Sequence, residues 1–274
     1  MMLTRILTGA FLIVASLVSL FLFPFPLFLV LVDTALLIGF LEMKKIMRGI
    51  GLEGLDISLP FLLGLPWIWN YIPEMVVPVM AAALVALLVG MVAKAPGDLK
   101  LCLPGTAVSL FTLIYLGLPL SILSSYQINS PLAIGHPSRI WELMLVFTAL
   151  WLSDSGAYFI GRAMGRHKIT PRISPNKSLE GFIAGLLFPA CGAVVYGRFL
   201  LPEMPPWFLA LTGMILGISG IFGDLFESAL KRGSGIKDSS KLFPGHGGML
   251  DRIDSILTGI PVFYLLMLVW EHLS

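Results

Sequence analysis

The chain has 274 residues, 57% of them hydrophobic and 12% charged, with a mean hydropathy of +0.92. A soluble domain carries about twice that share of charge, and a water-facing surface has no place for so much leucine, valine and phenylalanine. Composition therefore excludes a soluble globular protein, while the formal net charge of +2 excludes little until the charges are placed along the chain.

A membrane span needs about twenty mostly apolar residues. In chain order the sequence predicts spans at 3–23, 26–44, 57–73, 76–93, 101–120, 140–161, 180–200, 207–230 and 252–272. The first lacks a small-x-small cleavage site and is followed by further spans, so it reads as a retained helix rather than a signal peptide. The third and fourth are interrupted by Pro60, Pro66, Pro73 and Pro78, which membrane helices tolerate where neighbours satisfy the freed backbone groups. Cys102 and Cys191 have no metal or disulfide spacing and read as space-fillers. The expectation is an all-α integral membrane protein of about nine transmembrane helices.

With the N-terminus in the cytoplasm, 16 of the 18 Lys and Arg residues fall on the inner side, and only Arg139 and Arg198 lie near the other. That asymmetry is the positive-inside pattern. Two of the inner loops, 162–179 and 231–251, are polar, basic and rich in Gly or Pro. Function is therefore expected on the cytoplasmic face, in a polar cavity open to it. The division of labour that follows is residues 1–130 for substrate access, packing or oligomerisation, and 131–274 for catalysis. Gly161 and Gly165, Gly181 and Gly185, and Gly213 and Gly217 have a small-x-x-x-small spacing that permits close helix packing.

Chemistry-bearing residues gather at the inner ends of the later spans. Asp154 lies in apolar sequence between Ser153 and Ser155. It suits a metal ion or a polar group of a nucleotide, or a place in helix packing. In the following loop Ser174 and Lys177 suit phosphate, or else helix entry, and Ser178 is placed to cap the next helix. Asp224 stands among glycines deep in an apolar span, where an unpaired carboxylate is costly. Glu227 lies one turn on, at a spacing that also favours a helix pair with Lys231. Asp33 is a separate acid in the second span, with no role assigned.

The run Lys241–Asp254 contains Pro244-Gly245-His246-Gly247-Gly248 and then Asp251-Arg252-Ile253-Asp254. The glycines let backbone N–H groups approach an anion closely. Asp251 and Asp254 share one face of the ninth span, at an N-terminus where negative charge is also favoured by the helix dipole. Carboxylates from different helices suit Mg²⁺, which keeps waters and binds substrate phosphates. Lys231, Arg232, Lys237 and Lys241 supply positive charge suited to phosphate oxygens or to anionic lipid heads. No Walker A sequence is present, and the glycines at 213, 217, 220 and 223 lie in a membrane helix rather than after a strand.

The run from Ser228 through Lys231-Arg232, Lys237-Asp238 and Pro244-Gly-His246-Gly247-Gly248-Met-Leu-Asp251-Arg252-Ile-Asp254 resembles the C-terminal signature of the phosphatidate cytidylyltransferases, or CDP-diacylglycerol synthases. Asp154-Ser-Gly-Ala-Tyr158 and Ser174-Pro-Asn-Lys177-Ser-Leu-Glu-Gly181 resemble that family's upstream motifs, with Asn176 and Ser178 departing from the more usual Lys and Thr. The likeness is specific over about 150–254; elsewhere it is one of hydropathy and length.

The resemblance implies transfer of cytidylyl from CTP to phosphatidic acid, giving CDP-diacylglycerol and pyrophosphate, in the cell's inner membrane. It implies Mg²⁺ (or Mn²⁺) with Asp224 and Asp251 as the leading ligands and Asp154 and Asp254 as further ones, and a second cation such as K⁺. Lys231, Arg232, Lys237 and His246 would then act on phosphate, while Asp154, Ser174, Lys177, Gly247, Gly248 and Arg252 would help hold the nucleotide. A homodimer surrounded by membrane lipid is implied, with no nucleic-acid partner. Three other readings stay open on the residues alone: a related nucleotide-dependent lipid or prenol transferase or kinase, an ion-coupled transporter, and a purely structural membrane subunit.

Overall fold

The structure, a computed structural model, describes residues 2–54, 56–94, 102–133 and 138–273. Lys100 lies outside these, as do the side chains of Arg5, Lys94 and Cys102. The described residues form ten α-helices: α1 (Met2–Leu22), α2 (Phe25–Gly49), α3 (Ser58–Tyr71), α4 (Val76–Lys94), α5 (Cys102–Thr112), α6 (Leu118–Ser124), α7 (Arg139–Met164), α8 (Leu179–Leu200), α9 (Pro206–Gly233) and α10 (Leu250–Leu273). A 3₁₀ turn, Pro73–Met75, leads into α4, and a π-turn, Leu113–Gly117, joins α5 to α6. The only β features among the described residues are two isolated bridges.

Seven helical stretches among the described residues are long and apolar enough to cross a membrane, and the described part of α1, Leu7–Leu22, is shorter. The chain is therefore an all-helical, multi-pass membrane protein. The expected span at 57–73 becomes α3, only 14 residues long with Pro66 inside it, below the length that crosses hydrocarbon untilted. Pro73 starts a new turn directly after it. The expected span 101–120 instead continues to Ser124. Its π-turn precedes Pro119, whose missing N–H leaves a carbonyl of the previous turn without its usual partner.

Two compact units make up the chain: Met1–Ile134 with Leu230–Arg252, and Gly135–Ala229 with Ile253–Ser274. In the first, α2 buries a stripe of Leu29, Val32, Leu36, Phe40, Met43 and Met47, the three- and four-residue spacing of one helix face. Helix α3 packs against α2, α4 and α6. Asn70 ties this packing together: its Nδ2 donates to Ser124 Oγ at 2.7 Å and to the Pro66 carbonyl at 2.8 Å, and its Oδ1 accepts from Ser130 Oγ at 2.9 Å. Polar groups at membrane depth are costly unless satisfied internally; Asp33 accepts from Trp67 Nε1 at 2.7 Å through one oxygen, while its buried Oδ1 has no hydrogen-bond partner among the described residues.

The second unit is held by small residues. A Cβ at Gly213 would meet the Pro189 carbonyl, and one at Gly217 the Gly185 carbonyl, so α8 and α9 approach backbone to backbone. Gly181 faces Ala157 and Gly161 of α7 in the same way. Ser153 of α7, buried, donates to the Gly185 carbonyl at 2.8 Å. The small-x-x-x-small spacing thus marks the α7–α8–α9 contacts. On the other side of α9, a Cβ at Gly223 would strike Thr258 and, at 2.7 Å, the Asp254 carbonyl, while Thr258 Oγ1 donates to the Ser219 carbonyl at 2.8 Å. That close pass sets which acids of α9 and α10 meet.

Candidate functional site

Asp224, Glu227 and Asp254 each offer a carboxylate oxygen, all within 4.8 Å of one another. Asp224 and Glu227 share a face of α9 because they are three residues apart. Asp254 is brought in by α10, which can approach only because Gly223 has no side chain. Glu227 is buried, and Asp224 and Asp254 are half-buried. Lys177 reaches in from the loop before α8: its Nζ lies 2.8 Å from Asp224 Oδ2 and donates to the Ile221 carbonyl at 3.1 Å. Ser228 Oγ donates to Asp224 Oδ1 at 3.3 Å, and Ser255 N donates to Asp254 Oδ1 at 2.7 Å. Three carboxyl groups thus stand about one ammonium in a partly desolvated site. An oxygen-only donor set of this kind fits a hard divalent cation such as Mg²⁺ or Mn²⁺.

The loop carrying Lys177 is itself pinned at both ends. Ser178 caps α8 as its sequence position suggests, accepting from Gly181 N at 3.2 Å. Glu180, in the first turn, accepts from Arg166 N at 3.1 Å and contacts His167 Nδ1 at 2.7 Å. Leu179 N donates to the His167 carbonyl at 2.8 Å. Ser174 opens the turn that ends on Lys177, whose N–H donates to its carbonyl at 3.2 Å. Ser174 therefore shapes the approach of Lys177, and the residue is half-buried. Asp154 is exposed on α7.

In the first unit, Asp251 stands at the start of α10 and is fully engaged by protein groups. One oxygen accepts from Lys231 Nζ; the other accepts from Gly248 N at 2.7 Å, Ser239 Oγ at 2.8 Å and Ser239 N at 2.9 Å. The Lys231–Asp251 side chains are about nine-tenths buried, with 10% and 7% exposure. Gly247 has φ +81°, where a Cβ would strike the Asp251 carboxylate, and a Cβ at Gly248 would strike Ser239 Oγ and the Glu42 carboxylate. The anions that these two glycines admit are thus the protein's own. Gly245, at φ +77°, makes the turn that lets Phe243 N donate to the Gly247 carbonyl at 2.8 Å.

His246 lies against Gly9 of α1, and among the described residues its buried Nδ1 has no hydrogen-bond partner. Arg232 is exposed and donates to the Ile236 carbonyl at 3.1 Å, and Lys237, Lys241 and Arg252 are exposed.

Sequence reasoning led with Asp224 and Asp251 as metal ligands, with Asp154 and Asp254 as further ones, and read Glu227 by its pairing with Lys231; of these, Asp224 and Asp254 stand with Glu227 in the cluster, Asp251 is bonded to Lys231, Ser239 and Gly248, and Asp154 is exposed on α7. It missed Glu42 altogether. This acid of α2 is 5% exposed and lies about 200 residues from the groups it binds. Its one available signal is the same as for Asp224, an acid in apolar helical sequence, diluted by Lys44 and Lys45 two and three residues on.

Fold and site together define a multi-pass helical membrane protein with a buried carboxylate cluster able to coordinate a metal ion. The sequence pattern of the Cytidylyltransferase family matches residues 3–270, and the chain belongs to that family. It is similar to the phosphatidate cytidylyltransferase of Staphylococcus haemolyticus, 45% identical over 126 residues, which are 46% of this chain and 48% of that protein. The corresponding proteins of Staphylococcus epidermidis and Staphylococcus aureus are 44% and 43% identical over the same length and coverage. The match spans about half the length of these curated relatives.

Proposed function

We propose that this protein transfers cytidylyl from CTP to phosphatidic acid, releasing pyrophosphate and leaving CDP-diacylglycerol in the membrane. The observation that carries the reading is the Asp224–Glu227–Asp254 cluster with Lys177 at its edge, in a chain of the Cytidylyltransferase family. An oxygen of the lipid phosphate attacks the α-phosphorus of CTP. The bond from that phosphorus to the bridging oxygen breaks, and pyrophosphate departs with the electron pair. The lipid phosphate is already anionic, so no strong general base is required; alignment and charge neutralisation carry the reaction.

Asp224, Glu227 and Asp254 would hold Mg²⁺, which supplies charge neutralisation at phosphate oxygens. Asp251, engaged by Lys231, Ser239 and Gly248, has the proposed part of holding the signature loop. Lys177 pairs with Asp224 and is of the right chemistry for a phosphate oxygen. Arg232 and Lys237, both exposed, suit the triphosphate, and Lys231 pairs with Asp251. His246 orients the loop rather than acting as base.

The distribution of basic residues supports an N-terminus in the cytoplasm, a site open to that face and an odd number of spans; the nine expected would require α1 and the short α3 to cross beside the seven longer helices. A homodimer in the inner membrane and a catalytic role centred on 131–274 belong to the same reading.

The test is transfer of label from α-phosphate-labelled CTP into organic-extractable lipid, with phosphatidic acid and Mg²⁺, for wild type and for Asp224→Asn, Glu227→Gln and Asp254→Asn. Labelled CDP-diacylglycerol from wild type, reduced by at least about a hundredfold in each variant, supports the reading, since catalytic charge stabilisation of this kind is worth about that much. A folded wild type that labels no lipid with any nucleotide or divalent ion would sink it.

A further inference from the structure

Glu42 of α2 binds both limbs of the loop that joins α9 to α10. On the descending limb it accepts from Ser240 Oγ at 2.6 Å and Ser239 Oγ at 2.9 Å. On the returning limb it accepts from Leu250 N at 2.9 Å and Met249 N at 3.0 Å. Those two N–H groups belong to the start of α10, where a helix has no carbonyls of its own to offer. Glu42 is thus a helix cap supplied from a different helix, and its negative charge sits favourably at that N-terminus.

The rest of α2 forms a seat for the same segment. Gly39 contacts Leu250, Gly49 faces Ser234 so closely that a Cβ would lie 2.8 Å from its Cβ, and Ile50 meets Gly233. Ser239 is shared, since its hydroxyl also donates to Asp251. Gly248 must lack a side chain because Glu42 and Ser239 occupy that space. A buried carboxylate with four donors is a costly group to keep. Membrane anchoring of α2 does not need it, because the apolar stripe of that helix already packs.

We infer that Glu42 is a positioning residue for the reaction, holding the Lys237–Gly248 loop and the first turn of α10 in the conformation that receives the triphosphate. This rests on the cytidylyl-transfer reading above. It gives the N-terminal half a specific part in catalysis that acts through Ser239, Ser240, Met249 and Leu250 and touches no substrate. Removing the charge leaves the donors facing a neutral amide, one arm of which is itself a donor. Charge-assisted bonds of this kind change populations by about tenfold or more.

The experiment compares wild type, Glu42→Gln and Ser240→Ala, full length in detergent micelles. It measures KM for CTP, KM for phosphatidic acid, kcat, thermal midpoint, and amide exchange over 239–250. The expected result for Glu42→Gln is a rise in KM for CTP of about tenfold, with kcat and the lipid KM within about threefold and faster exchange confined to that segment. Ser240→Ala, which deletes one bond and keeps the buried charge, is expected to raise KM for CTP by about threefold and serves if Glu42→Gln does not fold. Unchanged KM for CTP and unchanged exchange in a folded variant would overturn the inference while leaving the transferase reading intact. A wild type that neither binds nor turns over CTP would overturn both.

Discussion

Gly223→Ala tests whether the carboxylate centre depends on the close pass of α9 and α10. The new methyl carbon would lie 2.7 Å from the Asp254 carbonyl oxygen, closer still to Thr258 Oγ1, and 3.2 Å from Thr258 Cγ2. Ordinary contact begins near 3.4 Å, so α10 must retreat by about 0.7 Å, and the obstacle is backbone, which cannot rotate away as a side chain can. Such overpacking costs about 1–3 kcal/mol, partly offset by about 1 kcal/mol of helix propensity gained over glycine. Stability should therefore fall by at most about 2 kcal/mol.

Activity should fall much further. The retreat carries Asp254 away from Asp224 and Glu227, and a displacement near 1 Å is worth about a hundredfold in rate. The assay is kcat for cytidylyl transfer at saturating CTP and phosphatidic acid, with thermal unfolding in micelles alongside. Gly220→Ala is the control. Its Cβ would lie 2.7 Å from Leu150 Cδ2, a terminal methyl that can turn aside, so kcat should stay within about threefold. A folded Gly223→Ala protein with kcat within twofold of wild type would refute the reasoning, because the three acids would then not need that spacing.

Asp251→Asn leaves the buried Lys231 without its counter-charge; a loss of about 3–5 kcal/mol is expected, read as a lowered thermal midpoint, and Lys231→Met in the same background should recover part of it. Ser153→Ala removes the hydroxyl that bonds α7 to the Gly185 carbonyl. Bonds between membrane helices average about 0.6 kcal/mol, so unfolding in micelles should shift by that small amount and kcat should hold.

The membrane class of the protein was legible from composition alone, because hydrocarbon imposes the strongest constraint a sequence can carry. Local signals also held where the physics is local. Ser178 caps α8, and the glycine pairs mark the contacts of α7, α8 and α9. Asp224 stood out because a carboxylate among glycines in an apolar helix requires an explanation. What periodicity could not give was length and partnership. Helix α3 stops short because Pro73 follows it, and α5 and α6 fuse through a π-turn. Those outcomes depend on how neighbours satisfy freed backbone groups.

Two arrangements, one in each unit, were set by tertiary structure. Asp254 joins Asp224 and Glu227 because one missing side chain at Gly223 lets two helices touch, and its neighbour Asp251, three residues earlier, is instead taken by Lys231, Ser239 and Gly248. Glu42 meets its four donors from about 200 residues away. Sequence spacing reports which residues share a helix face. Which carboxylate meets a cation and which meets backbone N–H groups is fixed only when separate helices pack, since charge and hydrogen bonding at these sites act over a few ångströms of space rather than along the chain.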